Sequence, residues 1–512
     1  MNIHRNSASG NASDLVAVLL VSGCLLVSSA LKGVFIAYPL LLSLLLLLAA
    51  LMRRGFDVRS LLLMGLAGAR QALPVVNVLL LIGIVTAVWM AAGTVPALVF
   101  YGIGLIAPRF FILWAFLLCG AVSMLLGTSF GTVGTIGVAL MVMARSSGET
   151  VMPVAGAIIA GAFLGDRCSV LSSSAHLVAS VTHTSIYRNL RLMMVSSLWP
   201  FLLSLLFYGA LSLFYPVTLG KNLIAAELPR AFVLSPGVLL PALSVLLLAI
   251  VRVDVKLAML ASIGIGWAIA YATQHYSVLQ LMRFTLFGFS MPEGTPLQPI
   301  LIGGGLLPMA KATLVVFIST AFAGIFAGSR ILGFVDGWLR QQLSYQQLGR
   351  ATVFVAIAAN VFGCTQTIAI LMTGQLMQPH YQRYYQLLLA ENEGLAEGGI
   401  AKGKPAKGKP EKGEPAKTVP AKTAPAKTAE QNRAEHKGNE AMAIALEDTA
   451  VVIAPLIPWN IAGLIPATVL AVGPSFIPYC VYLILLPVFV LLRTRPEPIR
   501  AQSLSLECPS TV

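Results

Sequence analysis

The chain has 512 residues, of which 57% are hydrophobic and only 11% are charged. Soluble domains carry about 25% charged residues, so this composition excludes a soluble protein and predicts a chain that crosses a membrane several times. The net charge of +14 does not indicate a nucleic-acid partner, because the basic residues lie in loops between apolar runs, as the positive-inside rule predicts.

Long apolar runs begin at Leu15 and recur as far as Ile477. With about 20 residues per crossing, they predict roughly 10–12 transmembrane helices. The backbone must satisfy its own hydrogen bonds in lipid, so the predicted fold class is an all-α polytopic membrane protein. Four arginines in the loop 53–70 predict that this loop and the N-terminus are cytoplasmic, in a bacterial cytoplasmic (inner) membrane.

Several sequence segments of the first half have similar counterparts in the second half. Residues 73–93 are similar to residues 307–327, and residues 132–143 are similar to residues 364–375. The hexapeptide GAFLGD, ending at Asp166, is similar to AIALED, ending at Asp448. We therefore predict two repeats with broken helices or re-entrant hairpins, which are inverted if each contains an odd number of crossings.

The last pair of similar segments is farther apart than the others because a stretch rich in Lys, Ala and Pro intervenes. Such a composition cannot bury a core, so we predict a disordered cytoplasmic insertion, either a solvated spacer or a segment that binds anionic lipid or a regulatory partner. The predicted division is a first repeat (1–230), the first part of a second repeat (231–378), the insertion (379–440), and the last part with a C-terminal tail (441–512).

One acidic residue of the first half, Asp166, lies in an otherwise apolar segment. A carboxylate at bilayer depth costs at least ~3 kcal/mol on insertion scales, so this position indicates a functional site, and a structural salt bridge is the alternative.

A hydroxyl-rich segment, GTSFGTVGTIG (127–137), precedes Asp166 and contains Thr128, Ser129 and Thr132. Hydroxyl oxygens and carbonyls freed by glycine are hard donors that suit Na⁺ or Li⁺. A closely packed helix pair is the alternative. The partner segment, 360–375, supplies polar groups that favour an ion site: Asn360, Thr365 and Gln366.

Polar residues also follow Asp166. If this stretch is helical, Ser169, Ser173 and His176 share one face with it, and His176 is a possible proton relay. Arg167 is expected to point to an aqueous mouth or, alternatively, to pair with a buried carboxylate.

The second half offers two adjacent acids, Glu447 and Asp448. Adjacent helical residues point about 100° apart, so one is expected to face the site. Asp448 is the first choice because it aligns with Asp166, while Glu447 is expected near an aqueous mouth. The following segment PLIPWN (455–460) contains two prolines that break the helix and bring Asn460 to the freed carbonyls.

No P-loop or GxSxG motif is present, and the six cysteines are scattered without metal-ligand spacing. We expect neither an enzyme nor a cofactor. A secondary carrier driven by an ion gradient fits this pattern.

In the segments GTSFGTVGTIG, GAFLGDRCSVLSSSAH and LEDTAVVIAPLIPWN, the chain resembles the NhaC-type sodium/proton antiporter family of the ion-transporter superfamily. This resemblance implies inverted repeats, discontinuous helices and a homodimer. It also implies a role for Asp166, the hydroxyls of GTSFGT, Gln366, and the LED and PLIPWN segments.

The chain departs from the family pattern at Val170, where many members have proline, and at Ser173, where many have a second acid. Some relatives exchange sodium with organic acids. The side chains that could serve such a carboxylate are Arg167, Ser172, Ser173, Ser174 and His176.

The predicted function is antiport of Na⁺ (or Li⁺) against H⁺, with the cation and the proton competing for Asp166 and Asp448. The alternative is a sodium- or proton-coupled exchanger of a small organic acid such as malate or lactate, and a more remote one is a membrane-embedded enzyme or scaffold.

Overall fold

The structure is a computed structural model. It describes residues 12–105, 108–145, 151–215, 224–292, 295, 297–298, 300–329, 339, 344–400 and 429–493.

Helices form most of the described chain. Those of the first half are α1 (Ala12–Leu31), α2 (Ala37–Arg53), α3 (Val58–Arg70), α4 (Leu73–Ala91), α5 (Thr94–Leu105), α6 (Phe111–Leu126), α7 (Ser129–Thr132), α8 (Val138–Arg145), α9 (Val151–Cys168), α10 (Ser173–Thr182) and α11 (Ile186–Phe214). Those of the second half are α12 (Ile224–Ala231), α13 (Leu240–Ile250), α14 (Val255–Thr273), α15 (Val278–Phe287), α16 (Leu306–Gly328), α17 (Tyr345–Gly363), α18 (Gln366–Ile400), α19 (Ala429–Leu446), α20 (Ile461–Val469) and α21 (Val481–Leu492).

Two π-helical turns interrupt the α-helical path, Val133–Gly137 between α7 and α8, and Glu447–Val451 after α19. Such turns are frequent at functional sites because they redirect side chains within a helix.

Within the described residues the strands are limited to an antiparallel hairpin of β1 (Phe289–Ser290) and β2 (Ile302–Gly303). The glycines that follow have positive φ, and the Gly305 N–H donates to the Gly83 carbonyl of α4 at 2.7 Å. The predicted all-α polytopic class is confirmed.

Six helices are long and apolar enough to cross a membrane, or seven if the bent pair Asn432–Leu456 and Ile461–Val469, which meet at 48°, is one crossing. Six further apolar helices have 10–17 residues. Among the described residues, the predicted 10–12 crossings are therefore reached only if some of these shorter helices also cross, singly or combined across breaks.

Helix α6 of the first half and helix α17 of the second half end at similar interruptions. Gly127 follows α6 and Cys364 follows α17, and both residues have left-handed backbone conformations with φ of 66° and 50°. Gly127 and Cys364 are 237 residues apart in the chain. The similar segments 132–143 and 364–375 are offset by 232 residues, so the two interruptions do not align residue by residue. The inverted orientation of the two halves remains a prediction.

The boundaries predicted for the insertion, 379 and 440, lie inside α18 and α19. These helices pack together, and the Asn439 Oδ1 atom accepts hydrogen bonds from Gln378 at 3.1 Å and Gln382 at 2.8 Å. The Lys-rich residues 401–428 lie outside the described residues.

Small residues bring α6 and α9 into close contact. A Cβ atom on Gly161 would overlap the Phe116 carbonyl oxygen, and one on Gly165 would overlap the Ser123 backbone. This contact places the end of α9, which carries Asp166, against the interruption at Gly127.

We predict opposite effects for two Gly→Ala substitutions. Gly161→Ala should lower the melting temperature of the purified protein, because forcing a methyl group into a packed contact costs about 1–3 kcal/mol. Gly209→Ala, in α11, should leave it unchanged or raise it, because no atom lies within 4 Å of the added Cβ and alanine favours helix by about 1 kcal/mol. Equal effects would contradict the α6–α9 packing.

Candidate functional site

After each of the two interruptions, at Gly127 and at Cys364, a new helix begins with a capped N-terminus. The Thr128 Oγ1 atom accepts from the Gly131 N–H at 3.5 Å, and the Thr365 Oγ1 atom accepts from the Ile368 N–H at 3.2 Å. The first residues after these caps are Ser129 and Gln366. Helix N-termini carry partial positive charge, so both restarts favour a nearby anion.

That anion is Asp166, which is buried at the end of α9. The Ser129 hydroxyl donates to the Asp166 Oδ2 atom at 3.2 Å. The Gln366 side chain, whose Nε2 atom donates to the Val451 carbonyl at 3.2 Å, also acts on the carboxylate. Residues from both halves of the chain therefore lie near this carboxylate.

Glu447 is a second buried acid at this centre. It lies in the second π-helical turn, is 0% exposed, and neither carboxylate oxygen has a hydrogen-bond partner among the described residues. The charged groups that act on it are Arg167, Asp448 and Asp166. An acid in such a position is expected to hold a proton or to gain a cation.

Asp448 is instead paired with Arg167. The Arg167 Nη2 atom donates to the Asp448 Oδ1 atom, and both side chains are buried. The second carboxylate oxygen lies 3.5 Å from the Arg493 Nη1 atom. Two arginines thus share one carboxylate, and Asp448 is already neutralised by protein groups.

The guanidinium of Arg167 is surrounded by polar groups of α11 and α21. Its Nη2 atom donates to the Ser196 hydroxyl at 2.6 Å, and its Nη1 atom donates to Ser197 and to the Tyr482 hydroxyl at 3.5 Å. Sequence reasoning missed these partners, although a serine pair within the apolar α11 was a usable signal.

The expected direction of Arg167 toward an aqueous mouth is wrong, because its side chain is fully buried. The alternative, pairing with a buried carboxylate, is confirmed, with Asp448 as that carboxylate. The expectation that Glu447 lies near an aqueous mouth is also wrong. A π-helical turn contains an extra residue, so both acids are directed into the protein.

The predicted helical face after Asp166 is wrong, because α9 ends at Cys168 and α10 begins at Ser173. Ser173 and His176 are exposed, and a His176 ring nitrogen lies 2.9 Å from the Val170 carbonyl oxygen. The change of direction after α9 removes both from the carboxylate.

The remaining serines of this segment hold the end of α9. The Ser169 hydroxyl donates to the Met124 carbonyl at 2.8 Å, next to the first interruption. The Ser172 and Ser174 hydroxyls both donate to the backbone carbonyl of Asp166, the latter at 2.8 Å. They position Asp166 and do not contact its carboxylate.

The two buried asparagines join the second interruption to the PLIPWN segment. The Asn460 Nδ2 atom donates to the Asn360 Oδ1 atom at 3.0 Å, and the Asn360 Nδ2 atom donates to the Ala450 carbonyl at 3.0 Å. Thr132 similarly donates to the Thr128 carbonyl at 2.9 Å. These three side chains satisfy backbone groups that the breaks leave free.

The Na⁺/H⁺ antiporter family model matches residues 161–390, which include Asp166 and Gln366. Through this segment the chain is similar to the Na⁺/H⁺ antiporter family. The chain is therefore a transporter of the antiport class and a multi-pass membrane protein, and the resemblance seen in the sequence is confirmed.

Full-length relatives agree with this family. The chain is 27% identical over 431 residues to the Na(+)/H(+) antiporter NhaC of Alkalihalophilus pseudofirmus, covering 83% of this chain and 82% of the relative. It is 26% identical over 467 residues to NhaC of Bacillus subtilis, covering 89% and 91%. It is also 28% identical over 386 residues to a malate-2H(+)/Na(+)-lactate antiporter of Bacillus subtilis, covering 72% and 81%.

We predict that Arg167→Met strongly destabilises this antiporter, by about 3–5 kcal/mol, because removing one partner leaves the other charge buried. The double substitution Arg167→Met/Asp448→Asn should be more stable than Arg167→Met alone. Melting of the single and double variants in detergent measures the coupling. Strictly additive losses would contradict an ion pair at this position.

Proposed function

We propose that this chain exchanges Na⁺ (or Li⁺) for H⁺, and that the cation and the proton compete for a site formed by Asp166 and Glu447. The match to the antiporter family model and the similarity to two NhaC antiporters support the exchange of these ions. The observation that carries the site is the contrast between adjacent acids: Asp448 is paired with arginine, whereas Glu447 has no hydrogen-bond partner among the described residues. The geometry thus favours Glu447 over Asp448 as the second acid.

The proposed mechanism uses the low-dielectric surroundings of both acids. Burial favours the neutral form of a carboxyl group, so each acid can hold a proton when no cation is present. A cation that enters would be ligated by carboxylate oxygens and the Ser129 hydroxyl, and it would displace the proton. Because one oxygen cannot hold both, alternating exposure to the two sides converts this competition into exchange.

The first prediction of this mechanism concerns the acids. With purified protein in liposomes that contain a pH-sensitive dye, Na⁺ or Li⁺ should collapse an imposed pH gradient. Asp166→Asn should abolish this response, and Glu447→Gln should reduce it at least tenfold, because each removes a charge that the cation needs. Glu227→Gln, at a surface ion pair with Arg230, is the matched control and should retain the response.

The variant Arg167→Met/Asp448→Asn distinguishes the two adjacent acids in the same liposomes. It should retain cation-dependent proton flux if Asp448 only balances Arg167, and it should lose the flux if Asp448 itself takes the cation. Full activity of Asp166→Asn would overturn the proposal as a whole.

A second prediction concerns pH. If proton and cation occupy the same oxygens, lowering the pH on the cation-loading side should raise the apparent KM for Na⁺ and leave the maximal rate unchanged at saturating Na⁺. Initial rates measured over a matrix of pH and Na⁺ concentration test this competition. A maximal rate that falls with pH at constant KM would require separate sites.

Exchange of a small organic acid is the second candidate, and it is supported by similarity to the malate/lactate antiporter. The side chains expected to hold a carboxylate are used elsewhere: Arg167 pairs with Asp448, Ser172 and Ser174 bind a backbone carbonyl, and His176 is at the surface. A carboxylate would need a different site. Addition of malate in place of Na⁺ in the liposome assay tests this candidate.

We place the protein in the bacterial cytoplasmic membrane, with a cytoplasmic N-terminus and with lipid, Na⁺ or Li⁺ and H⁺ as its partners. A homodimer is the expected assembly by analogy with the family. Both the orientation and the dimer remain predictions.

A further inference from the structure

A cavity of about 920 Å³ lies between α8 and α15, away from the acids of the cation site. Its other walls are one side of α4, the segment from Gly288 to Pro292, Gly303 and Gly304, the beginning of α16 and the end of α20. The volume suits a small organic molecule, because ligand pockets generally measure about 300–1,000 Å³.

One face of α8 and one face of α15 line this cavity. From α8 these residues are Val138, Met141, Val142 and Arg145, and from α15 they are Gln280, Arg283, Phe284 and Phe287. Both sets have the spacing i, i+3, i+4 and i+7, which is one side of a helix. Each apolar face therefore presents a single arginine to the cavity.

The charge in the cavity has one sign among the described lining residues, which include two arginines and no carboxylate. The Arg145 Nη2 atom is held by the carbonyls of Leu470 at 2.6 Å and Ala471 at 3.3 Å, so this guanidinium is fixed in place. Arg283 is exposed, and none of the ion pairs among the described residues includes it. Its five donors are available to a ligand.

We propose that this cavity binds a small organic carboxylate, with Arg145 and Arg283 as the groups that recognise its charge. Guanidinium groups match the geometry of a carboxylate in bidentate hydrogen bonds, and positive charge in a cleft with low-dielectric walls attracts anions. The rings of Phe284 and Phe287 cover the carbon skeleton. Two arginines favour a dicarboxylate over a monocarboxylate.

This site is separate from the cation site. Val138, at the inner end of the α8 face, is nine residues after Ser129 on one nearly continuous helical path. At 1.5 Å per residue, it lies about 13 Å farther along the helix. A carboxylate in the cavity therefore does not occupy the oxygens that hold the cation, and its binding does not depend on the cation exchange proposed above.

Isothermal titration of the purified full chain tests this site with L-malate, L-lactate and a neutral succinamide. Malate should bind more tightly than lactate, and the diamide should not bind. Arg283→Gln should weaken malate binding at least tenfold and reduce its preference over lactate, because one of the two charges is lost. Arg283→Lys, which keeps the charge, should restore part of the affinity.

Arg59→Gln, an exposed arginine on α3, is the matched control and should bind malate as the unsubstituted protein does. Arg283 is the primary target because its exposed side chain makes no hydrogen bond or ion pair with the described residues. The melting temperature without ligand verifies that each variant is folded. Unchanged malate affinity in both Arg283→Gln and Arg145→Gln, or no binding of malate to the unsubstituted chain, would overturn the proposal. Malate binding without Na⁺-dependent proton flux would instead overturn the cation exchange.

Discussion

The buried ion pair between Arg167 and Asp448 is the interaction on which the centre of this structure depends. A guanidinium taken out of water needs a counter-charge and hydrogen-bond acceptors, because desolvation costs several kcal/mol per ion. Asp448 supplies the charge and the serines of α11 supply the acceptors. The pair therefore joins the end of α9 to α11 and to the π-helical turn after α19.

The pairing also determines which acids remain available. Because Arg167 takes Asp448, the neighbouring Glu447 is left without a partner among the described residues and acts electrostatically on Asp166. The centre therefore contains one acid whose charge is balanced by arginine, Asp448, and two acids without such a partner, Asp166 and Glu447. This division of roles is the basis of the competition proposed for Na⁺ and H⁺, since only an unbalanced carboxylate can exchange one cation for another.

The irregular backbone around this centre has a specific set of side chains that stabilise it. Breaks at membrane depth persist only where the freed N–H and C=O groups find partners. Thr128 and Thr365 cap the restarted helices, and Asn360 and Asn460 connect the second break to the segment after the π-helical turn. Several residues predicted as ion ligands thus act by holding the backbone in place around Asp166.

The sequence by itself determined the all-helical membrane class, and it singled out Asp166, Ser129 and Gln366 as candidates for one site. These follow from local facts, since an acid or a glycine-rich break in an apolar run is unusual wherever it occurs. Only the tertiary structure paired a buried Arg167 with Asp448, left Glu447 without a hydrogen-bond partner among the described residues, and directed Ser173 and His176 away from Asp166. Each outcome depends on a turn at Cys168, on a π-helical turn, or on a partner about 280 residues away, and none of these is encoded in the residues next to the side chain concerned.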